Sequence, residues 1–201
     1  METIILQSDN LSDLQQAAEL LRAGETVAFP TDTVFGLGAN AQNDTAVQKI
    51  YEAKGRPSDK PLILLIHDKA QLQQFVDEVS DVAVKLIETF WPGPLTMIFE
   101  KSELVPYGTT GGLETVAVRM PNHPIALELI RAGGGYVAAP SANKSGRPSP
   151  TLASHVEEDL SGRIDMILDG GPVGIGLEST IVDFTDEIPT ILRPGYINQE
   201  M

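Results

Sequence analysis

Apolar positions recur along the chain at two periods. Leu11, Leu14, Ala17, Ala18 and Leu21 fall at helical spacing, and Ala46, Val47, Ile50 and Tyr51 repeat it. The first group predicts a helix opened by a capping box of Ser12 with Gln15 and stopped at Gly24. The second predicts a helix over 44–54. Helical spacing returns over 69–78, 80–90 and 124–132, and in a shorter form over 152–160. Between these lie short strand-like runs: TIIL (3–6), TVAFP (26–30), LILLI (62–66), LTMIFE (95–100), TVAVRM (115–120), YVAA (136–139), DMILD (165–169), TIVDF (180–184) and TILR (190–193). LILLI holds no polar position, as suits a strand covered on both faces. The connections are rich in Gly and Pro: a polar turn with Gly36 and Gly38, and the segments 55–61, 91–94 and 108–114. Strands alternate with helices for most of the length, which predicts a single α/β domain over 1–201 with a largely buried sheet. Consecutive strands near the end make that sheet mixed. No linker or internal repeat divides the chain.

Composition narrows the function classes. Of the 201 residues, 42% are hydrophobic and 21% charged, ordinary for a globular protein with a sizeable core. The net charge of −14 argues against broad electrostatic binding to nucleic acid or an anionic membrane, while leaving room for a local basic pocket. The absence of cysteine excludes disulfides, thiolate catalysis and cysteine zinc sites. The N-terminus, METIILQSDN, lacks a basic n-region, and LILLI is far too short to cross a bilayer, so a cytoplasmic location is expected.

The few cations gather at element ends. Lys54, Arg56 and Lys60 lie in KGRPSDK; Arg119 and Arg193 end strands; Lys144 and Arg147 lie in PSANKSGRPSPT (140–151). That last segment reads as a flexible linker by composition, or as an ordered loop whose hydroxyls and cations hold an anion. Cations in loops at strand ends suit a pocket for a phosphate or carboxylate. No GxxxxGK[ST], GxGxxG or HExxH occurs, and His67, His123 and His155 lie far apart. His123, just before a helix, reads as a cap, Trp91 as a core or turn anchor, and Asp169 as a turn residue. Asp32 is open to magnesium or to capping its turn, the cap being favoured. Ser141 and Ser179 have no evident base beside them, so any catalysis is expected to use positioning and electrostatics.

Taken together in order, TVAFPTDTVFGLGA (26–39), KGRPSDKPL (54–62), WPGPLT (91–96), TVAVRMPNHP (115–124), AAPSANKSGRPSPT (138–151), ILDGG (167–171), ESTIVD (178–183) and ILRPG (191–195) resemble the YrdC-like family of threonylcarbamoyl-AMP synthases. The resemblance covers nearly the whole chain. Its hallmark, KxR followed by SxN, is intact as Lys54, Arg56, Ser141 and Asn143.

The resemblance implies a twisted mixed sheet flanked by helices, with a concave, basic groove. It implies that L-threonine, bicarbonate and ATP, with Mg²⁺ held mostly by the nucleotide, give threonylcarbamoyl-AMP and pyrophosphate. Partner proteins then pass the threonylcarbamoyl group to an adenosine beside the tRNA anticodon; direct tRNA binding by this acidic chain is expected to be weak or absent. Lys54, Arg56, Lys60, Thr115, Ser141, Asn143, Ser149 and Arg193 are implied ATP contacts, Lys54 and Arg56 also carrying the catalytic role. Thr31, Arg119, Ala139 and Ser179 are the implied threonine contacts, Arg119 pairing the carboxylate. No metal ligand is assigned to the protein. Many relatives carry a threonine-contacting His where this chain has Leu65, and His67 follows two residues later on the same side of the strand. Some relatives add a C-terminal domain over the site; ending at Met201, this chain resembles the single-domain form. The alternative is a nucleotide- or RNA-binding relative without synthase activity.

Overall fold

The structure is a computed structural model and describes residues 1–7 and 10–201. Its strands are β1 (Ile4–Gln7), β2 (Val27–Phe29), β3 (Gly36–Asn40), β4 (Ile63–Ile66), β5 (Leu95–Glu100), β6 (Thr115–Arg119), β7 (Tyr136–Ala139), β8 (Met166–Asp169), β9 (Thr180–Asp183) and β10 (Thr190–Arg193). Among the described residues they form one ten-stranded sheet in the order β1-β8-β2-β3-β7-β4-β6-β5-β9-β10. Parallel pairs (β1 with β8, β8 with β2, β4 with β6, β5 with β9) mix with antiparallel ones, as the consecutive C-terminal strands predicted.

Helices α1 (Leu11–Arg22) and α6 (Pro124–Ala132) lie together on one face. Their Leu14, Leu21, Leu129 and Ile130 pack on Phe29, Val137 and Met166. The larger core on the other face takes α2 (Asp44–Lys54), α3 (Leu72–Phe75), α4 (Asp81–Phe90) and α7 (Ala153–Leu160), with Phe35, Leu64, Met97 and Trp91 at its centre. Fully burying each such side chain contributes about 1.5–3 kcal/mol. Trp91 anchors this core as expected, its indole N–H donating to Leu95 O at 2.7 Å. On the α1/α6 face no helix core among the described residues extends over β6, β5 and β9, and the half-buried Ala117, Ile98 and Ile181 remain as the floor of a groove.

Four local expectations change. Asn10, in extended conformation, caps α1 by accepting from Ser12 N at 2.8 Å, so Ser12 sits inside the helix and its expected capping box does not form. The turn expected around Gly36 and Gly38 is strand β3. Its GLGAN sequence has little β propensity, but a Cβ on Gly38 would come within 2.7 Å of Phe29 and Val137, so glycine is what lets the neighbours close over it. The helix expected to reach residue 78 stops at Phe75, because Val76 turns extended and bridges Lys101. Part of the 108–114 loop is helical: α5 (Tyr107–Thr110) ends where Gly111 turns left-handed at φ 64°.

Candidate active site

The site forms where four segments meet the 140–151 loop above the bare half of the sheet. The first is the β2–β3 turn, residues 30–35. It and the start of β3 are laced to PSANKSGRPSPT by backbone bonds from Phe35 N to Pro150 O, Leu37 N to Pro140 O and Ala142 N to Phe35 O, each 2.9 Å. Further bonds run from Ser145 N to Lys54 O and from Lys144 N to the Asp159 carboxylate. The 140–151 segment is thus an ordered loop. Its Arg147 pairs with Asp159 at 2.9 Å, on α7, outside the groove.

The second segment is the end of α2. Lys54 is the last helical residue, and Gly55 takes a left-handed φ of 64° that ends the helix. The chain therefore turns between the two cations of KGR and sends them apart. Lys54, 3% exposed, points inward, and its ammonium donates to the backbone carbonyls of Ser141 and Asn143. Burial, helped by the charge of Arg56, pushes its pKa down to about 8. Arg56 faces the groove and donates to Pro61 O at 2.8 Å, while its Nε is buried without an acceptor. The KxR and SxN segments are joined by this one buried ammonium.

The third and fourth segments are the 178–180 turn into β9 and the end of β10. Arg193 donates to Ser179 O at 2.9 Å, to Ser179 Oγ at 3.1 Å and to Glu178 at 2.9 Å. Gly195 packs so tightly that a Cβ would meet Glu178 O at 2.6 Å and Thr180 N at 2.7 Å, which fixes the turn against the strand end.

These segments enclose a cavity of about 360 Å³. Cross-strand pairing sets its apolar floor: Ala139 lies beside Ile63, Ile63 beside Ala117, and Ala117 beside Ile98. Arg56, Lys60, Arg119 and Arg193 line it together with Thr31, Ser141 and Ser179, and Glu178 supplies the one carboxylate among the described lining residues. At one end Arg119, 5% exposed, donates to Gly93 O at 3.1 Å, to Thr33 Oγ1 at 3.0 Å and to the Asp32 carboxylate. Burial lowers its pKa and Asp32 opposes that shift. Asp32 is therefore an ion-pair partner rather than the turn cap expected from sequence; its second oxygen, Oδ2, is buried with no partner.

Of the residues singled out in the sequence, Thr31, Arg56, Lys60, Arg119, Ala139, Ser141, Ser179 and Arg193 line the cavity. Lys54 and Asn143 do not: both are buried behind it, Asn143 donating to the carbonyls of Lys144 and Arg147. Ser149 sits just outside, donating to Glu178 at 2.8 Å. Thr115 lies on the groove side of β6, two and four residues before Ala117 and Arg119, beyond the cavity lining. Leu65 presents an apolar wall, and His67, although on the same side of the strand, lies past the cavity, where its backbone N–H donates to the Gln71 side chain. His123 is a helix cap as expected, Nδ1 accepting from Ile125 N at 3.2 Å.

Residues 19–195 match the Sua5/YciO/YrdC family profile, described as "Telomere recombination". The chain belongs to this family. It is 57% identical to the threonylcarbamoyl-AMP synthase of Bacillus subtilis over 194 residues, covering 96% of this chain and 56% of that protein. Among solved structures, Pyrococcus abyssi Sua5 complexed with L-threonine superposes with a TM-score of 0.95 at 51% identity, covering 100% of this chain and 59% of that one. Escherichia coli YciO superposes with a TM-score of 0.86 at 26% identity, covering 98% of this chain and 96% of that one. The chain thus spans little more than half the length of the Bacillus and Pyrococcus proteins. No helix among the described residues is long and apolar enough to cross a membrane.

Within this Sua5/YciO/YrdC fold, sequence reading missed Glu178, Thr33 and the floor residues Ile63, Ile98, Ala117 and Ile181 as site residues. Glu178 stood inside the ESTIVD motif, where its neighbour Ser179 drew attention. The floor residues have no chemical signal; only the strand order brings them to one face.

Proposed function

We propose that the chain is an L-threonylcarbamoyladenylate synthase domain that joins L-threonine, bicarbonate and ATP and releases pyrophosphate. The observation that carries this reading is the convergence of Arg56, Lys60, Arg119 and Arg193 with four hydroxyl residues, Thr31, Thr33, Ser141 and Ser179, on one cavity in a chain of charge −14. It is supported by 57% identity to a threonylcarbamoyl-AMP synthase and by a threonine-bound relative of the same fold.

The amino acid goes to the Arg119 end. Arg119 keeps unused N–H donors on Nη1 and Nη2 after serving Thr33 and Asp32, enough for a carboxylate. Thr31, Ser179 and the apolar Ala139 surround that position. The nucleotide goes to the Arg56, Lys60, Ser141 and Arg193 end, with Thr115 and Ser149 at its margin. Lys54 acts from behind: by clamping the Ser141 and Asn143 carbonyls it sets the loop that carries Ser141.

The ammonium group of threonine and bicarbonate combine with loss of water and a proton to give a carbamate. A carbamate oxygen then attacks the α-phosphorus, and the bond to the bridging oxygen of pyrophosphate breaks. Both reactants are anionic. The cations lower their repulsion and hold the charge that grows on the leaving group, and the low-dielectric floor strengthens these contacts. Among the described residues no cluster of three metal-ligating side chains occurs. In this reading Mg²⁺ would arrive held by the nucleotide's own phosphates and would supply charge neutralisation there. The product passes to tRNA threonylcarbamoyl-transfer proteins, and the chain works as one cytoplasmic domain over 1–201 with little direct tRNA affinity.

The test is pyrophosphate release with ATP, Mg²⁺, bicarbonate and L-threonine, with threonylcarbamoyl-AMP identified by mass. Release that is unchanged without threonine refutes the reading. Arg56→Ala and Ser141→Ala are expected to cut turnover by about tenfold or more each; wild-type rates in both would place the nucleotide elsewhere.

A further inference from the structure

Glu178 is out of keeping with its surroundings. It is a carboxylate on the wall of a cavity lined by four cationic side chains. A half-exposed pair such as Glu178 with Arg193, whose side chains are 37% and 35% exposed, adds little to stability. Its placement is nonetheless firm. Its backbone lies under Gly195, Oε2 accepts from Arg193 and Oε1 accepts from Ser149. It thereby links two side chains from separate segments, the end of β10 and the 140–151 loop. Its negative charge also reaches Arg56 and the buried Lys54, favouring their charged forms against burial.

We propose that Glu178 is the internal counter-anion of the nucleotide end: held in place by the Ser149 hydroxyl, it orients Arg193 toward a polyphosphate and at the same time opposes that polyphosphate, so that pyrophosphate is released rather than retained. The proposal rests on the nucleotide reading given above. A cavity lined by four cations and no anion would bind the pyrophosphate product best of all the species in the reaction, because it carries the highest charge density. A fixed carboxylate among those cations weakens every polyanion, and weakens the separated product more than a nucleotide whose base and sugar add contacts of their own. Glu178 is therefore a positioning and product-release residue, and none of its atoms need enter the bond changes.

Glu178→Gln tests this, because the amide keeps the shape and an acceptor oxygen while removing the charge. Calorimetric titration of inorganic pyrophosphate into wild type, Glu178→Gln and Arg56→Ala is the direct readout. Glu178→Gln is expected to bind pyrophosphate about tenfold more tightly, with the gap narrowing as salt rises. In threonine-dependent turnover, added pyrophosphate is expected to inhibit it at correspondingly lower concentration. A merely structural role for Glu178 predicts weaker binding, not tighter. Equal or weaker pyrophosphate binding by a Glu178→Gln protein that melts like wild type overturns the proposal. If wild type binds no pyrophosphate, or Arg56→Ala leaves binding untouched, the nucleotide reading of the cavity fails first and takes this proposal with it.

Discussion

Arg119→Met is the sharpest probe of how the amino-acid end is built. The substitution removes the donors to Gly93 O, Thr33 Oγ1 and Asp32. It leaves the Asp32 carboxylate about 10% exposed, with Oδ1 stripped of its partner and Oδ2 already without one. Breaking a buried pair from one side costs about 3–5 kcal/mol, mostly the burial of the charge left behind. In a domain of this size that lowers the thermal midpoint by roughly 10 °C. Urea unfolding at neutral pH, with the slope held common to all variants, measures the loss directly. The double variant Arg119→Met/Asp32→Leu removes the stranded charge and is expected to regain about 2–3 kcal/mol over the single one, while neither binds the amino acid. The reasoning is refuted if the single variant lies within about 1 kcal/mol of wild type. It is equally refuted if the double variant is no more stable than the single one.

The remaining predictions concern the clamp, the packing and the cavity wall. Lys54 has a pKa of about 8 when folded against an ordinary 10.5, so between those values the unfolded chain holds a proton that the folded chain has shed. Stability attributable to Lys54 therefore rises as pH goes from 8 to 10.5, by at most about 3 kcal/mol, and is lost as pH falls back to 8. The difference in urea midpoint between wild type and Lys54→Met, followed across that window, should carry this slope; parallel curves would contradict it. Gly38→Ala is expected to cost about 1–3 kcal/mol in the same unfolding assay, since its Cβ would collide with Phe29 and Val137. Gly174→Ala, with open space around it, should be close to neutral and serves as the comparison. His67→Ala is expected to leave the KM for threonine within about twofold of wild type, because His67 lies past the cavity; a tenfold rise would put the imidazole in the site.

The elements that were readable in advance are those whose burial follows a simple period. α1, α2, α4 and α6 each bury one stripe, and β4 is apolar throughout, so spacing alone located them. β3 was not readable, because Gly38 is set by the close approach of Phe29 and of Val137, the latter about a hundred residues away in sequence. The end of α3 at Val76 is likewise set by a distant neighbour, its bridge to Lys101, whereas the Asn10 cap of α1 is local, made to Ser12 N two residues on.

The candidate site divides in the same way. The order and content of the motifs determined the family and most of the polar lining, since the cations and hydroxyls of the cavity sit in short segments that keep their meaning when read alone. Tertiary structure decided what each cation does. Gly55 turns the chain between Lys54 and Arg56, so one becomes a buried clamp and the other a lining residue, although they stand two positions apart. Asp32 looks like a turn cap in sequence and Glu178 drew no reading of its own, and only the crossing of strands sets them against Arg119 and Arg193. A charge can be read from a sequence, but its partner is fixed by the fold.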